Sequence, residues 1–284
     1  MLRPVSSRNG VFYCGKMTYN FNGEIREGNQ LELDLHNRAL HYGDGLFESL
    51  RYAGGRINFW EDHYFRLMAS MRILRMEIPM HFSPEFLEDE IRKTVAANGW
   101  EGEGVRLKIL VWRSGSGRYT PETNAVEYLI SAEVLESPFY PWHQEGLRID
   151  LFPDYYKPQG LLANLKSTAS QLYTVASVFR AENDLDECIL LNAQKEVCEA
   201  ISANLFMIQN EVLHTPPLES GCLKGVMRKK LLELAQELGW ETQEKAFSPF
   251  ALQKAEEVFL SNAIAGIRWV RQYRKKTYGH ARTE

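Results

Sequence analysis

The sequence predicts a mixed α/β fold divided into two domains, and two observations carry that prediction. Strand-type alternation and helix-type spacing follow one another in both halves of the chain. Between the halves, residues 136–146 (ESPFYPWHQEG) hold two prolines and little core-type periodicity, which reads as a linker. The expected division is an extension over 1–16, an N-terminal α/β domain over 17–135, the linker over 136–146, and a C-terminal α/β domain over 147–284.

The N-terminal elements follow in order. Thr18 to Phe21, the pair Asn22-Gly23 and Glu24 onward read as a hairpin, because Asn-Gly favours the left-handed turn that matches strand twist. Phe47–Tyr52 and Arg56–Phe59 form a second hairpin about Gly54-Gly55. A helix follows from about Glu61, where Tyr64, Leu67, Met68, Met71 and Leu74 recur at helical spacing. Another helix covers about 83–97. Val105–Trp112 and Ala125–Ala132 read as strands, joined by a loop holding Arg113, Gly115, Gly117 and Arg118.

The C-terminal half opens with a strand at 147–152. A helix over about 168–183 follows, with Thr168 and Gln171 spaced as a capping box. Strands are expected at 187–192, 196–199, 203–208 and 211–215. A helix over about 224–238 and strands near 257–261 and 267–273 complete the reading.

Bulk composition narrows the function class. The chain has 284 residues, 44% hydrophobic and 25% charged, which is ample for a large core. The net charge of −4 argues against a nucleic-acid protein. No apolar run reaches the length of a membrane span, and residues 1–16 lack the apolar stretch of a signal peptide. The four cysteines, Cys14, Cys188, Cys198 and Cys222, show no CxxC or Cys/His spacing, so no metal site is expected. They read as reduced thiols, and the expected compartment is cytoplasmic.

Three features can carry chemistry. Lys166 follows an apolar stretch and precedes the expected helix start, where desolvation and the helix dipole would both disfavour its ammonium form. That suits a Schiff-base lysine, although a solvated surface lysine has the same local sequence. Glu199 ends a short strand among Cys198, Ala200 and Ile201, and is either a buried carboxylate in need of a partner or an exposed strand end. Gly225 opens an amphipathic helix, so the N–H groups at Val226 and Met227 either make an anion cup or belong to an ordinary helix start. The Gly115/Gly117 loop lacks the lysine pattern of a phosphate-binding P-loop.

Taken together these segments resemble one family. Glu199-Ala-Ile-Ser-Ala-Asn-Leu-Phe206, Leu213-His-Thr215 and Leu223-Lys-Gly225-Val226-Met-Arg228 are similar, with permitted gaps, to the signature of class IV aminotransferases. Asn37 to Arg51 resembles the family's N-terminal block, His63-Tyr-Phe-Arg66-Leu67 its phosphate-arginine block, and Asn164-Leu165-Lys166 its lysine block. The resemblance runs from about Met17 to Tyr273. It implies a fold type IV enzyme, with a smaller N-terminal domain and a larger C-terminal pseudo-barrel. It implies pyridoxal 5′-phosphate as cofactor and a homodimer as the assembly. It further implies that Lys166 carries the cofactor and shuttles a proton. Glu199 would pair with the pyridine nitrogen, and Arg66 with Gly225, Val226 and Met227 would hold the phosphate. Asn262 and Ala263 stand where the family places a last phosphate contact, with alanine in place of a common threonine. Tyr42, Phe47 and Glu48 would line the substrate side.

The exact reaction is less constrained. The spacing from Arg113 to Arg118 resembles aminodeoxychorismate lyases and D-amino-acid enzymes, in which a loop arginine contacts a substrate carboxylate. Arg118 is therefore either that contact or a solvated loop residue. Ala39-Leu40-His41-Tyr42-Gly43, Phe47-Glu48 and Thr215-Pro216-Pro217 resemble branched-chain enzymes. The expectation is a branched-chain-like transaminase acting on an amino acid and a 2-oxo acid. An aminodeoxychorismate lyase, releasing pyruvate and 4-aminobenzoate, and a non-catalytic ligand-binding homologue are the alternatives.

Overall fold

The computed structural model describes residues 17–284; the extension expected over 1–16, with Cys14, lies outside the described residues. The N-terminal elements are β1 (Thr18–Phe21), β2 (Glu24–Glu27), α1 (Arg38–Tyr42), β3 (Gly45–Ala53), β4 (Arg56–Ile57), α2 (Trp60–Ile73), α3 (Pro84–Ala97), β5 (Val105–Arg113) and β6 (Val126–Val134). Their strands form one sheet in the order β2-β1-β6-β5-β3-β4. The hairpin turns are where glycine and asparagine place them: Asn22 and Gly23 have φ of 51° and 89°, the left-handed values such a turn needs. Helix α3 is started by Ser83, whose hydroxyl accepts from Phe86 N at 3.1 Å, and by Pro84 at its first position. The apolar faces of α2 and α3 (Leu67, Met71, Leu87, Ile91) pack on Leu50, Leu107 and Ile109 of the sheet.

The C-terminal half holds β7 (Leu147–Leu151), α4 (Gln171–Glu182), β8 (Glu187–Leu191), β9 (Val197–Ala200), β10 (Asn204–Gln209) and β11 (Val212–Thr215). Then come α5 (Val226–Glu237), β12 (Thr242–Glu244), α6 (Pro249–Lys254), β13 (Glu257–Asn262), β14 (Gly266–Tyr273) and β15 (Lys276–Thr277). The sheet order is β12-β11-β10-β13-β14-β7-β8-β9, with β15 beside β14. The sheet curls into a half-barrel. Its concave side encloses Ile149, Ile189, Leu205, Leu260 and Val270. Outside it, α5 covers Phe206 and Phe259, and α4 covers Cys188 and Leu190. Every residue of β8 is consequently buried, as a strand covered on both faces must be.

Residues 135–146 between β6 and β7 contain no helix or strand. Arg51 of β3, only 3% exposed, fastens this segment to both halves. Its guanidinium donates to the carbonyls of Ser137 and Pro138, to Phe139 O at 2.5 Å, and to Ile264 O of the β13–β14 turn at 2.6 Å. No helix among the described residues is long and apolar enough to cross a membrane.

Candidate active site

The carbonyl end of the lysine segment docks on the first sheet. Phe47 N donates to Lys166 O at 2.8 Å, Thr168 N donates to Gly45 O at 2.9 Å, and Leu46 bridges Ser167. This pairing corrects the expected helix start. The Thr168 hydroxyl turns to Gly45 O, no capping box forms, and α4 begins only at Gln171. Lys166 therefore lies in the segment between a short 3-10 turn over 161–164 and α4, and not at the start of α4.

Lys166 opens onto a cavity of about 430 Å³ between the two sheets. Desolvation, followed by the nearby Arg66 guanidinium, pulls its amine down to about 8, against a partial counter-pull from Glu48 and Glu199. Its Nζ sits 4.4 Å from the centre of the Phe47 ring. The expected consequence is a pH-dependent capture of carbonyl compounds. Only the neutral amine attacks a carbonyl, and its fraction grows as pH rises through 8. The rate of cofactor uptake by cofactor-free protein, followed by visible absorbance, should rise through pH 8 and level off above it. A rate still climbing towards the ordinary lysine value of 10.5 would show an unperturbed amine.

Glu199 lies within β9 and is 3% exposed. Its Oε1 accepts from the Tyr173 hydroxyl at 2.7 Å and forms an ion pair with Lys157 Nζ at 3.2 Å; its Oε2 accepts from Leu223 N at 2.8 Å. Burial and the adjacent Glu199 carboxylate push the Tyr173 phenol strongly up, so it serves as a hydrogen-bond donor.

The cavity wall also carries a cation and free N–H groups. Gly225 precedes α5, which has no side-chain cap, so the N–H groups of its first turn face the cavity wall formed by Gly225, Val226 and Met227. A side chain at 225 is excluded, because its Cβ would lie 2.0 Å from Asn204 Oδ1. Arg66 lines the same cavity. It donates Nε to Glu48 Oε1 at 2.8 Å, NH2 to Glu48 Oε2 at 2.5 Å and NH1 to Lys224 O at 2.9 Å. Those bonds use three of the five guanidinium protons and leave two for an anion.

Glu48 requires a correction. Along β3, Phe47 and Ser49 face the cavity, and the intervening Glu48 points to the opposite side. There it is 2% exposed, behind Arg66, with Oε2 2.7 Å from Nδ1 of the fully buried His63. Burial alone would raise its carboxyl, but Arg66 and His63 outweigh burial and hold it at about 2. Glu48 is thus a brace for Arg66 and does not touch the substrate space.

Tyr42 and Arg118 also lie elsewhere. Tyr42 lines a second cavity of about 660 Å³ with Arg38 and Tyr119, across the 165–169 segment. Arg118 is exposed and lines neither cavity; its carbonyl accepts from Arg38 at 2.7 Å. The second arginine on the Lys166 cavity, beside Arg66, is Arg106 of β5; its NH1 donates to Glu133 Oε1 at 2.5 Å, and its buried Nε has no partner. Asn262 and Ala263 do reach the cavity. The Asn262 side chain is spent on its own turn, accepting from Ile264 N at 2.9 Å and Ala265 N at 2.7 Å. Ala263 brings no hydroxyl, while the buried Oγ of Ser261 on the same wall has no partner.

The sequence gives no role to Lys157, Tyr173, Arg106 or His63. For Arg106 the signal was present in the charged alternation of Arg106 and Lys108 inside a strand. For the others, only the folded chain brings them to the site.

The residues fit a phosphorylated pyridine aldehyde. A low-lying amine, an anchored carboxylate, and a cation with free N–H donors occupy distinct parts of one cavity. Among the described residues no group of His, Cys, Asp and Glu could hold a metal ion. Comparison with known proteins agrees with this chemistry. The model of the family described as amino-transferase class IV matches residues 45–273. An aminodeoxychorismate lyase of Vibrio harveyi is 28% identical over 84% of this chain and 86% of its own. A branched-chain-amino-acid aminotransferase of Escherichia coli strain K12 is 29% identical over 88% and 83%. Among solved structures, a branched-chain aminotransferase of Thermoproteus uzoniensis, determined with norvaline, superposes with a TM-score of 0.83 at 24% identity, covering 95% of this chain and 91% of that one.

Proposed function

The chain belongs to the class IV aminotransferases, and from that premise we propose that it is a pyridoxal-phosphate-dependent transaminase for amino acids with apolar side chains. The observation that carries this reading is the makeup of the Lys166 cavity. Its wall combines the polar groups that such a cofactor needs with the apolar surfaces of Phe47, Ile201, Met227 and Ile264. Arg118, the residue that favours a lyase in the sequence, stands outside that cavity.

Each residue then has a task. Pyridoxal phosphate, when bound, draws off the electron pair left at the substrate α-carbon. Lys166 Nζ would hold the cofactor and, as a free amine, would move the substrate's α-proton. Glu199 would pair with the ring nitrogen and keep it protonated. Arg66, braced by Glu48, and the α5 N–H groups at Val226 and Met227 hold the phosphate, with Ser261 as the hydroxyl donor in place of the missing threonine. Arg106 would donate its free Nε–H to the substrate carboxylate.

Two measurements test this. L-leucine with 2-oxoglutarate should yield glutamate and 4-methyl-2-oxopentanoate. Pyruvate and 4-aminobenzoate from aminodeoxychorismate, with no transfer from leucine, would make the protein a lyase. Arg106→Ala should raise KM for the amino donor by about tenfold or more, the loss expected for a charged hydrogen bond of roughly 1.5–3 kcal/mol. Cofactor retention should stay unchanged; an unaltered KM would remove Arg106 from the substrate site.

A further inference from the structure

Lys157 is a second lysine at this site, and it is 3% exposed. Its backbone is fixed at the end of β8: Lys157 N donates to Leu191 O at 2.7 Å and the residue bridges Asn192. Its ammonium donates to Ala163 O at 2.9 Å and to Gly221 O, and it forms an ion pair with Glu199 Oε1 at 3.2 Å. These partners belong to three different parts of the site. Ala163 lies in the turn that leads into Lys166. Glu199 lies in β9. Gly221 leads into the loop whose Leu223 N–H holds the other oxygen of Glu199.

A buried ammonium is costly unless paired and fully hydrogen-bonded, and an apolar residue of similar size is often no worse for stability. The geometry shows what the charge accomplishes here. Tyr173 donates to Oε1, which Lys157 also pairs with, and Leu223 N–H donates to Oε2. Both oxygens are thereby held in place, the carboxylate keeps acceptor capacity, and Glu199 lines the cavity. We infer that Lys157 is a positioning residue which, through its ion pair with Glu199, fixes the orientation in which that carboxylate meets the cofactor's ring nitrogen and ties the carboxylate to the Lys166 turn and the phosphate loop. This inference rests on the proposed reading of the site, in which Glu199 meets that nitrogen.

The test is a double-mutant cycle on full-length protein. Lys157→Met, Glu199→Gln and the double variant are freed of cofactor and titrated with pyridoxal 5′-phosphate. The readouts are the half-saturating concentration and the visible circular dichroism, which reports how rigidly the ring is held. Lys157→Met should raise half-saturation by about tenfold, the order expected for one charge-assisted bond, and should diminish the dichroism. In the Glu199→Gln background the same change should have almost no further effect, because the carboxylate it acts through is gone. Lys157→Gln, which keeps N–H donors near the same carbonyls, is carried through the same cycle so that a folding failure of the methionine variant still leaves a result. Effects of equal size in both backgrounds, or no effect in either, would overturn the inference while leaving the site intact. Failure of the unsubstituted protein to take up the cofactor would instead overturn the parent reading, and this inference with it.

Discussion

Lys166→Ala should abolish turnover and covalent retention of the cofactor together. The amine is the one group in the cavity that can both bond a carbonyl and move the α-proton. Loss of a positioned proton carrier alone costs about 10²–10⁴-fold in rate, and loss of covalent anchoring adds to it. Non-covalent binding should survive in part, because Arg66, the α5 N-terminus and Glu199 are untouched. Steady-state assays with dialysed protein, together with the visible spectrum, measure both effects. A variant that keeps its spectrum and its rate would place the chemistry on another residue, and Lys157, the other lysine at this site, would be the first to examine.

Glu48→Gln should be the most damaging change to stability among the residues discussed. It leaves Arg66 and His63 without the buried carboxylate that both contact. Breaking such a pair from one side costs about 3–5 kcal/mol. The expected result is a clear loss of unfolding free energy in urea for cofactor-free protein. The pH dependence has a definite sign. The carboxyl is held at about 2 against an ordinary 4.5, so its contribution is complete above 4.5 and disappears as pH falls towards 2. Wild-type and variant stabilities should therefore converge in acid. Glu48 also raises the Lys166 amine, so the variant's cofactor-uptake profile should move to lower pH. Equal stabilities at neutral pH would contradict the brace.

Much of the architecture was legible because local signals agreed with the tertiary result. Asn22-Gly23 and Gly54-Gly55 dictate turns of one hand, and all four residues have positive φ. Ser83-Pro84 starts a helix for reasons contained within its own first turn. The misread helix start at Thr168 shows the limit. Its capping signal is local, but β3 captures the preceding backbone, and a pairing between residues more than a hundred positions apart outweighs one side-chain cap. The site divides in the same way. Lys166, Glu199, Arg66 and the Gly225 turn belong to contiguous motifs, and the structure gathers them on one cavity. Glu48 was assigned to the wrong face, because a strand's two faces can be told apart only when its sheet partners and covering helices are known. Lys157 and Tyr173 carry no motif at all. Their relation to Glu199 exists only where the 157 loop, α4 and β9 converge.

Borohydride reduction followed by peptide mapping decides whether Lys166 carries the cofactor. Protein saturated with pyridoxal 5′-phosphate is reduced, digested and analysed by mass spectrometry. One phosphopyridoxyl group is expected, on the peptide containing Asn164-Leu165-Lys166. A label on Lys157 or on surface lysines alone, or no label at all, would contradict it.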